Sequence, residues 1–387
     1  MQLRPIYMDY NATTPCDPRV VEAMIPFFTT GFGNPSSRDH WYGWQAAEAI
    51  DEARERVASL VGASPKSIIF TSGATESINL ALQGTANALK DRGRHIITCK
   101  TEHSAVLDTC AALETGGYQV SYLEVDEEGR LSLEQLEASI TAETICIAVM
   151  YANNETGVIN PVRAIGTLAH KYNIHFICDA TQAVGKIEVD VNTDQIDLLA
   201  FSSHKIYGPK GVGALFVRNR DEQHILPQQY GGGHERGLRS GTLNTPGIVG
   251  FGKAAALCHS EMKEEAKRLE ALRDRMELLL QQSIPGVVIN GTRQRLPHVS
   301  NILVPYDDTE QLLLSLSSYL AVSRGSACSG LVQRPSHVLK AMGLNDEKIR
   351  RALRISLGRF TIAQEIEEAV ERLASVINIK TGSSPVI

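Results

Sequence analysis

Three short motifs bring together residue types that can bind a phosphorylated ring and bond to it through an amine. In SIIFT–SGATES–INLAL an apolar run ends in small residues, and a helix is expected to begin near Ala74–Thr75. Small residues let backbone N–H groups approach an anion, the helix N-terminus adds positive potential, and the Thr75 hydroxyl adds a donor. An ordinary capped helix with Glu76 in its first turn fits the same residues. In HFICDATQAVG, Asp179 ends an apolar run, where open α/β sheets place ligands. In FSSHKIYGPKGVG, Lys205 follows another such run, with Ser202, Ser203 and His204 as phosphate donors beside it. A desolvated lysine is a nucleophilic amine suited to a Schiff base. Lys186 and Lys210 lie close enough in sequence to compete for that role, and a surface lysine in a turn is the commoner case. A carboxylate at Asp179 can hold a protonated pyridine nitrogen, and Gln182 can donate to a ring oxygen, which are the needs of pyridoxal phosphate (PLP). Asp179 can equally cap a helix at Ala180.

Other motifs supply partners for such a ring. His103 in TEHSAV follows the run HIITC and could stack on a planar ring and move protons near neutral pH. Asn153 and Asn154 in YANNETGVINP follow TICIAVM; either could bond the ring, or both could build a turn. The stretch YGGGHERGLRSGTLN offers Arg236, Arg239 and Thr242 to an anion, or is simply a polar loop. Arg354 in LRISLGRF can pair two-pronged with an amino-acid carboxylate, or form a surface ion pair. Cys328 in SRGSACSGLVQ sits among small residues, so an exposed thiol in a mobile loop is expected, able to carry an atom between sites.

The elements that must position these residues are legible in outline. Apolar runs at 67–71, 95–99, 119–123, 144–150, 175–179, 197–201 and 212–217 alternate with helical patterns. Near-continuous apolar strands with helical crossovers imply a mainly parallel, seven-stranded sheet covered on both faces. The link between the last two runs is too short for a helical crossover, so that pair is expected to be antiparallel. From about residue 255 the texture changes. The charged stretch HSEMKEEAKRLEALRDRMELLLQQS reads as a helix, followed by strand candidates VSNILV, LAVSR and LRISLG. A large domain over 15–255 and a smaller α+β domain from 1–14 and 256–387 are expected.

Composition narrows the function classes. A chain of 387 residues suits a large domain with a smaller one. Net charge of −6 without a basic block argues against nucleic-acid binding. No apolar run reaches the roughly 20 residues of a membrane span, and the opening MQLRPIYMDYNATTP has no secretory apolar core. Seven cysteines without a CxxC pair make a disulfide framework or structural zinc site improbable, and Cys99, Cys146 and Cys178 read as buried hydrophobes. A reducing cytoplasm fits.

Taken together, the motifs resemble those of cysteine desulfurases of the NifS/IscS type, with the aspartate-aminotransferase-like fold (fold type I) of PLP enzymes. The resemblance runs through YMDYNATTP, FGNPSS, FTSGATES, TEHSAV, NNETG, DATQ, SSHKIYGPKG, GGGHERGLRSGT, GSAC and RISLGRFT. It implies conversion of L-cysteine to L-alanine, with sulfur passed to an enzyme cysteine and on to iron–sulfur scaffolds or other acceptor proteins. It implies Lys205 as the Schiff-base lysine, Asp179 as partner of the pyridine nitrogen, Gln182 and Asn154 as ring contacts and His103 as the stacking acid/base. Ala74, Thr75, Ser202, Ser203 and His204 resemble the cofactor cradle, Arg354 the carboxylate anchor, with Asn154 beside it, and Cys328 the persulfide cysteine. Thr242 resembles the residue that reaches the other subunit's phosphate, which implies a homodimer. Arg324 and Gly330–Leu331 depart from the common pattern of the cysteine loop. A selenocysteine lyase, a cystine C–S lyase and a PLP-binding scaffold without turnover are the rival readings; Cys328 argues against the simple lyases and Lys205 against the scaffold.

Overall fold

The computed structural model describes residues 4–218, 225–324 and 335–381. In chain order its strands are β1 (Ile6–Tyr7), β2 (Ile68–Thr71), β3 (His95–Cys99), β4 (Gln119–Leu123), β5 (Thr144–Ala148), β6 (His175–Asp179), β7 (Leu198–Ser202) and β8 (Gly213–Val217), then β9 (Val288–Asn290), β10 (Val299–Leu303), β11 (Leu320–Ala321) and β12 (Ala352–Ser356). Seven of them form one sheet in the order β2-β8-β7-β6-β5-β3-β4. Strand β8 runs antiparallel to both neighbours, as the short β7–β8 link requires, and the remaining pairs are parallel. The family of α/β folds expected from the alternating pattern is therefore the one observed.

Alternation along each strand divides the sheet's two faces. Ile97, Ile147, Cys178 and Leu199 face one core, which packs against helices Trp41–Leu60 and Thr245–Ser283. Ile96, Cys146, Ile177 and Leu198 face the other, under helices Ala74–Leu89 and Ser104–Thr115. Both faces are covered, so the central strands are buried along nearly their whole length and mostly apolar. Cys99, Cys146 and Cys178 are fully buried, as the sequence suggested.

A third core belongs to a smaller sheet, β12-β10-β9, all antiparallel. Ile302, Leu353 and Ile355 pack there against Leu269, Met276 and Leu280 of the long helix and against Ile366 and Leu373. That helix starts at Thr245, upstream of the charged stretch that reveals it in the sequence, and serves both the large and the small core. The N-terminal segment forms a separate parallel pair, β1 with β11, and an isolated bridge links Asp9 to Ser356, the last residue of β12. Among the described residues no helix is long and apolar enough to cross a membrane.

Candidate active site

The carboxyl ends of the parallel strands open into a cavity of about 970 Å³. Ala74, Thr75, His103, Asn154, Asp179, Gln182, Ser202, His204, Lys205 and Arg354 all line it, so most of the residues singled out in the sequence converge. Strands arriving in parallel deliver their following loops to one edge of the sheet, which is why residues so far apart in sequence meet.

Helix Ala74–Leu89 points its N-terminus at the cavity, leaving first-turn N–H groups without intrahelical partners. Its approach depends on Gly213. A Cβ at that position would stand 2.6 Å from Gly73 Cα, so only glycine lets the turn before the helix lie on β8. Glu76 secures the same turn by accepting from Ser72 N at 2.7 Å and pairing with Arg239 at 2.8 Å. Arg239 is thereby committed to Glu76, and Arg236 donates to the Lys66 carbonyl.

Asp179 ends β6 and is buried, with Oδ1 accepting from Thr181 N at 2.9 Å. Lys205 closes the short turn Ser203–Lys205 after β7, and its Nζ donates to the carbonyls of Asn11 and Ala12, the latter at 2.7 Å. Lys186 is removed from contention: it is buried away from the cavity and donates to the Tyr207 hydroxyl at 3.1 Å. His204 meets Thr13 Oγ1 at 3.1 Å, and burial, reinforced by the charges of Lys205 and Lys210, pushes its pKa down to about 4, so the ring is neutral. His103 caps helix Ser104–Thr115, its Nδ1 accepting from Ala105 N at 3.1 Å. The neutral ring then carries its proton on Nε2.

Asn153 and Asn154 divide their tasks. The Asn153 side chain builds the turn, accepting from the N–H groups of Glu155 and Thr156. Asn154 lines the cavity, and its carbonyl accepts from Arg354 Nη1 at 3.0 Å. Arg354 is 2% exposed, pairs with Asp9 through Nη2 at 2.8 Å, and keeps a buried Nε without a hydrogen-bond partner among the described residues. One residue expected in the cavity of its own chain is not brought there. Ser203 is fully buried and packs beneath Gly208, because the turn after β7 rotates it away from its neighbours Ser202 and His204. Thr242 is exposed and outside the cavity of its own chain. Cys328 lies outside the described residues, as does most of the segment around it. Sequence reasoning missed Asn11, Ala12, Thr181 and His337, all of which line the cavity. Asn11 and Ala12 lie in YMDYNATTP and Thr181 in DATQ, motifs that gave these three residues no role of their own; their place at the cavity comes from the fold.

A family model described as class-V aminotransferase matches residues 6–369. The chain belongs to that family. It is 50% identical over 384 residues to a cysteine desulfurase IscS of Tolumonas auensis, covering 98% of this chain and 95% of the relative. Among solved structures, a NifS-like protein superposes with a TM-score of 0.91 at 38% identity, covering 97% of this chain and all of the other. SspA in complex with cysteine superposes with a TM-score of 0.82, also at 38% identity, covering 92% of this chain and 99% of the other.

The family's cofactor is PLP, and the donor set fits it. A helix N-terminus with Thr75 and neutral His204 suits a phosphate, the Asp179 carboxylate a pyridinium, and the Lys205 amine an aldehyde carbon. Thr181 Oγ1 is a buried cavity-lining hydroxyl with no partner among the described residues, a donor still to be used.

Proposed function

We propose that this chain is a PLP-dependent cysteine desulfurase that converts L-cysteine to L-alanine and passes the sulfur to Cys328 as a persulfide. The observation that carries this reading is the convergence of Lys205, Asp179, the helix N-terminus at Ala74–Thr75 and Arg354 on one cavity of a class-V aminotransferase. The bound cofactor would supply a covalent handle for the substrate amine and a sink for electrons from its Cα. Asp179 would hold the proton on the ring nitrogen, and Thr75, Ser202 and His204 the phosphate. Arg354 would grip the cysteine carboxylate, with Asn154 beside it; the unused Nε supports that reading. Lys205 Nζ would take the Cα proton and return it to carbon. His103, with its Nε2 proton, would serve as acid and base near the sulfur. The Cys328 thiolate then attacks the substrate sulfur. The S–S bond forms as the Cβ–S bond breaks, the electron pair stays with Cβ, and protonation gives alanine.

L-Cysteine as substrate is supported by the fold match to SspA in complex with cysteine. A protein acceptor, such as an iron–sulfur scaffold, would take the sulfur from Cys328, a reading supported by likeness to proteins named cysteine desulfurase IscS. A cytoplasmic setting is supported by the six free cysteines among the described residues. We divide the chain into a large domain, 15–255, and a small one, 1–14 with 256–387; the separate third core supports that division. We also propose a homodimer in which Thr242 reaches the partner's cofactor, supported by its exposure away from its own cavity.

The test is alanine and sulfide production from L-cysteine. Lys205→Ala should abolish it, together with borohydride-reducible fixation of PLP. Cys328→Ser should bind cysteine but lose alanine formation and persulfide labelling. Desulfuration by Cys328→Ser at the parent rate would replace this reading with that of a simple lyase.

A further inference from the structure

Asn11 is 1% exposed and hydrogen-bonds several parts of the site at once. Its carbonyl accepts from both Lys205 Nζ and Gln182 Nε2, the latter at 3.1 Å. Its side-chain Nδ2 donates to the Asn154 carbonyl at 3.0 Å. A carbonyl can only accept, so the amide orientation is fixed, and Oδ1 must accept from His298 Nε2–H at 2.8 Å. Its backbone N donates to Ser356 Oγ at 2.9 Å, at the end of β12. One residue therefore ties the cofactor lysine to β10 through neighbouring His298, to β12 and to the turn after β5.

The geometry explains how the site handles an amine that spends part of each turnover unbonded. Ala12 adds a second carbonyl to that of Asn11, and Ala12 N donates to the Asp9 carbonyl, closing a tight turn. Asp9 in turn pairs with Arg354. The turn thus holds Lys205 on one side and the substrate-facing arginine on the other. His298 is fully enclosed, its Nδ1 has no hydrogen-bond partner among the described residues, and burial holds its pKa well below the usual histidine range. It is a neutral, single-purpose donor whose one bond goes to Asn11.

We propose that the Asn11–Ala12 turn is the seat of the Lys205 amine whenever that amine is not bonded to the cofactor, and that Asn11, clamped by His298 and the Asn154 carbonyl, is the residue that positions it. This rests on Lys205 being the cofactor lysine. A released lysine has four flexible side-chain bonds; two carbonyls aimed at Nζ keep it within reach for proton return and for rebonding. Without the clamp the carbonyls lose their aim, and the amine must search.

The experiment follows the holoenzyme's visible chromophore after a single turnover with substoichiometric L-cysteine, and, separately, uptake of PLP by the apoprotein. Asn11→Ala and His298→Ala should each slow chromophore return and PLP uptake by roughly tenfold, the scale of a modest misplacement of a reacting group. His298→Gln, whose amide can still donate to Asn11 Oδ1, should stay within about twofold of the parent. Chromophore return at the parent rate in either alanine variant overturns the proposal. So does a His298→Gln protein as slow as His298→Ala, because packing rather than the hydrogen bond would then be at work. If Asn11→Ala does not accumulate folded, Asn11→Ser is read by the same criteria. Borohydride fixation of PLP at Lys205 is checked first in the parent protein. Its absence removes the assignment of Lys205 itself; its presence alongside unaffected variants removes only the seat.

Discussion

Glu102, one residue before the cavity-lining His103, is a carboxyl fully enclosed by protein. Its Oε1 accepts from Met150 N at 2.8 Å, while Oε2 is buried with no hydrogen-bond partner among the described residues. Burial, with a smaller push from the negative charge of Asp179, raises its pKa well above the ordinary 4.5. The fold therefore holds a proton on Glu102 that the unfolded chain releases. The stability this contributes is fully present below about pH 4.5 and is lost as pH rises through the folded value, at up to ~1.4 kcal/mol per pH unit. Glu102→Gln cannot titrate and escapes that loss. The melting temperature of Glu102→Gln relative to the parent should climb between about pH 5 and pH 8. A constant difference across that range, or one that shrinks, would show that Glu102 is ionised in the folded protein. The residue scale also marks a limit of the sequence. Residue types alone leave Lys186 a competitor to Lys205 until the fold buries it against Tyr207 and opens Lys205 to the cavity.

Elements were more legible than the residues between them. All seven strands of the main sheet lie within two residues of their apolar runs, because strands buried on both faces are mostly apolar; only the edge strand β4 is largely uncovered. The long helix was legible only from its charged half. Between Thr245 and Cys258 it is buried on almost every side, among them Ile248, Val249, Phe251 and Ala255, so it carries no amphipathic stripe to read. The N-terminal turn that reaches Lys205 was invisible for a different reason, since its contacts are backbone carbonyls and any sequence has those. Among element contacts, Gly213 offers the sharpest test. The atoms nearest to an added Cβ are Gly73 Cα and carbonyl carbon and the Phe201 oxygen, all backbone and unable to swing aside. Gly213→Ala should push the Ser72–Ala74 turn off β8 and carry the helix N-terminus with it. Overpacking of this kind costs about 1–3 kcal/mol; where that cost falls on the PLP-bound state it lowers PLP affinity by roughly 5- to 150-fold. Fluorescence titration of the apoprotein with PLP measures it. Unchanged affinity in a folded Gly213→Ala protein would move the phosphate site elsewhere.

At the scale of the whole molecule, the surface of the single chain is not finished. Its two tryptophans, Trp41 and Trp44, are 57% and 56% exposed, although tryptophan is usually among the most covered residues. They start helix Trp41–Leu60, and Ile25, Phe28, Phe32 and Tyr42 nearby in sequence are exposed as well. Phe32 and Trp41 both pack against Tyr42, with ring centroids 5.4 and 5.3 Å away, so the rings form a continuous group rather than scattered side chains. Large exposed aromatic groups of this kind mark interfaces. In the homodimer proposed above, a second copy of this chain would cover this patch and also account for Thr242, which stands exposed outside its own cavity. Closed two-fold pairing would cover the same patch on both copies at once. Sedimentation equilibrium should give twice the chain mass for the parent protein. Phe32→Glu combined with Trp44→Glu would place two carboxylates on each side of a desolvated contact and should shift the protein toward monomer. If Thr242 acts across that contact, the monomeric variant should also bind PLP more weakly, and Thr242→Ala should weaken PLP binding in an intact dimer. A parent protein that sediments as a monomer while retaining PLP and full desulfurase activity would sink both halves of this reading together.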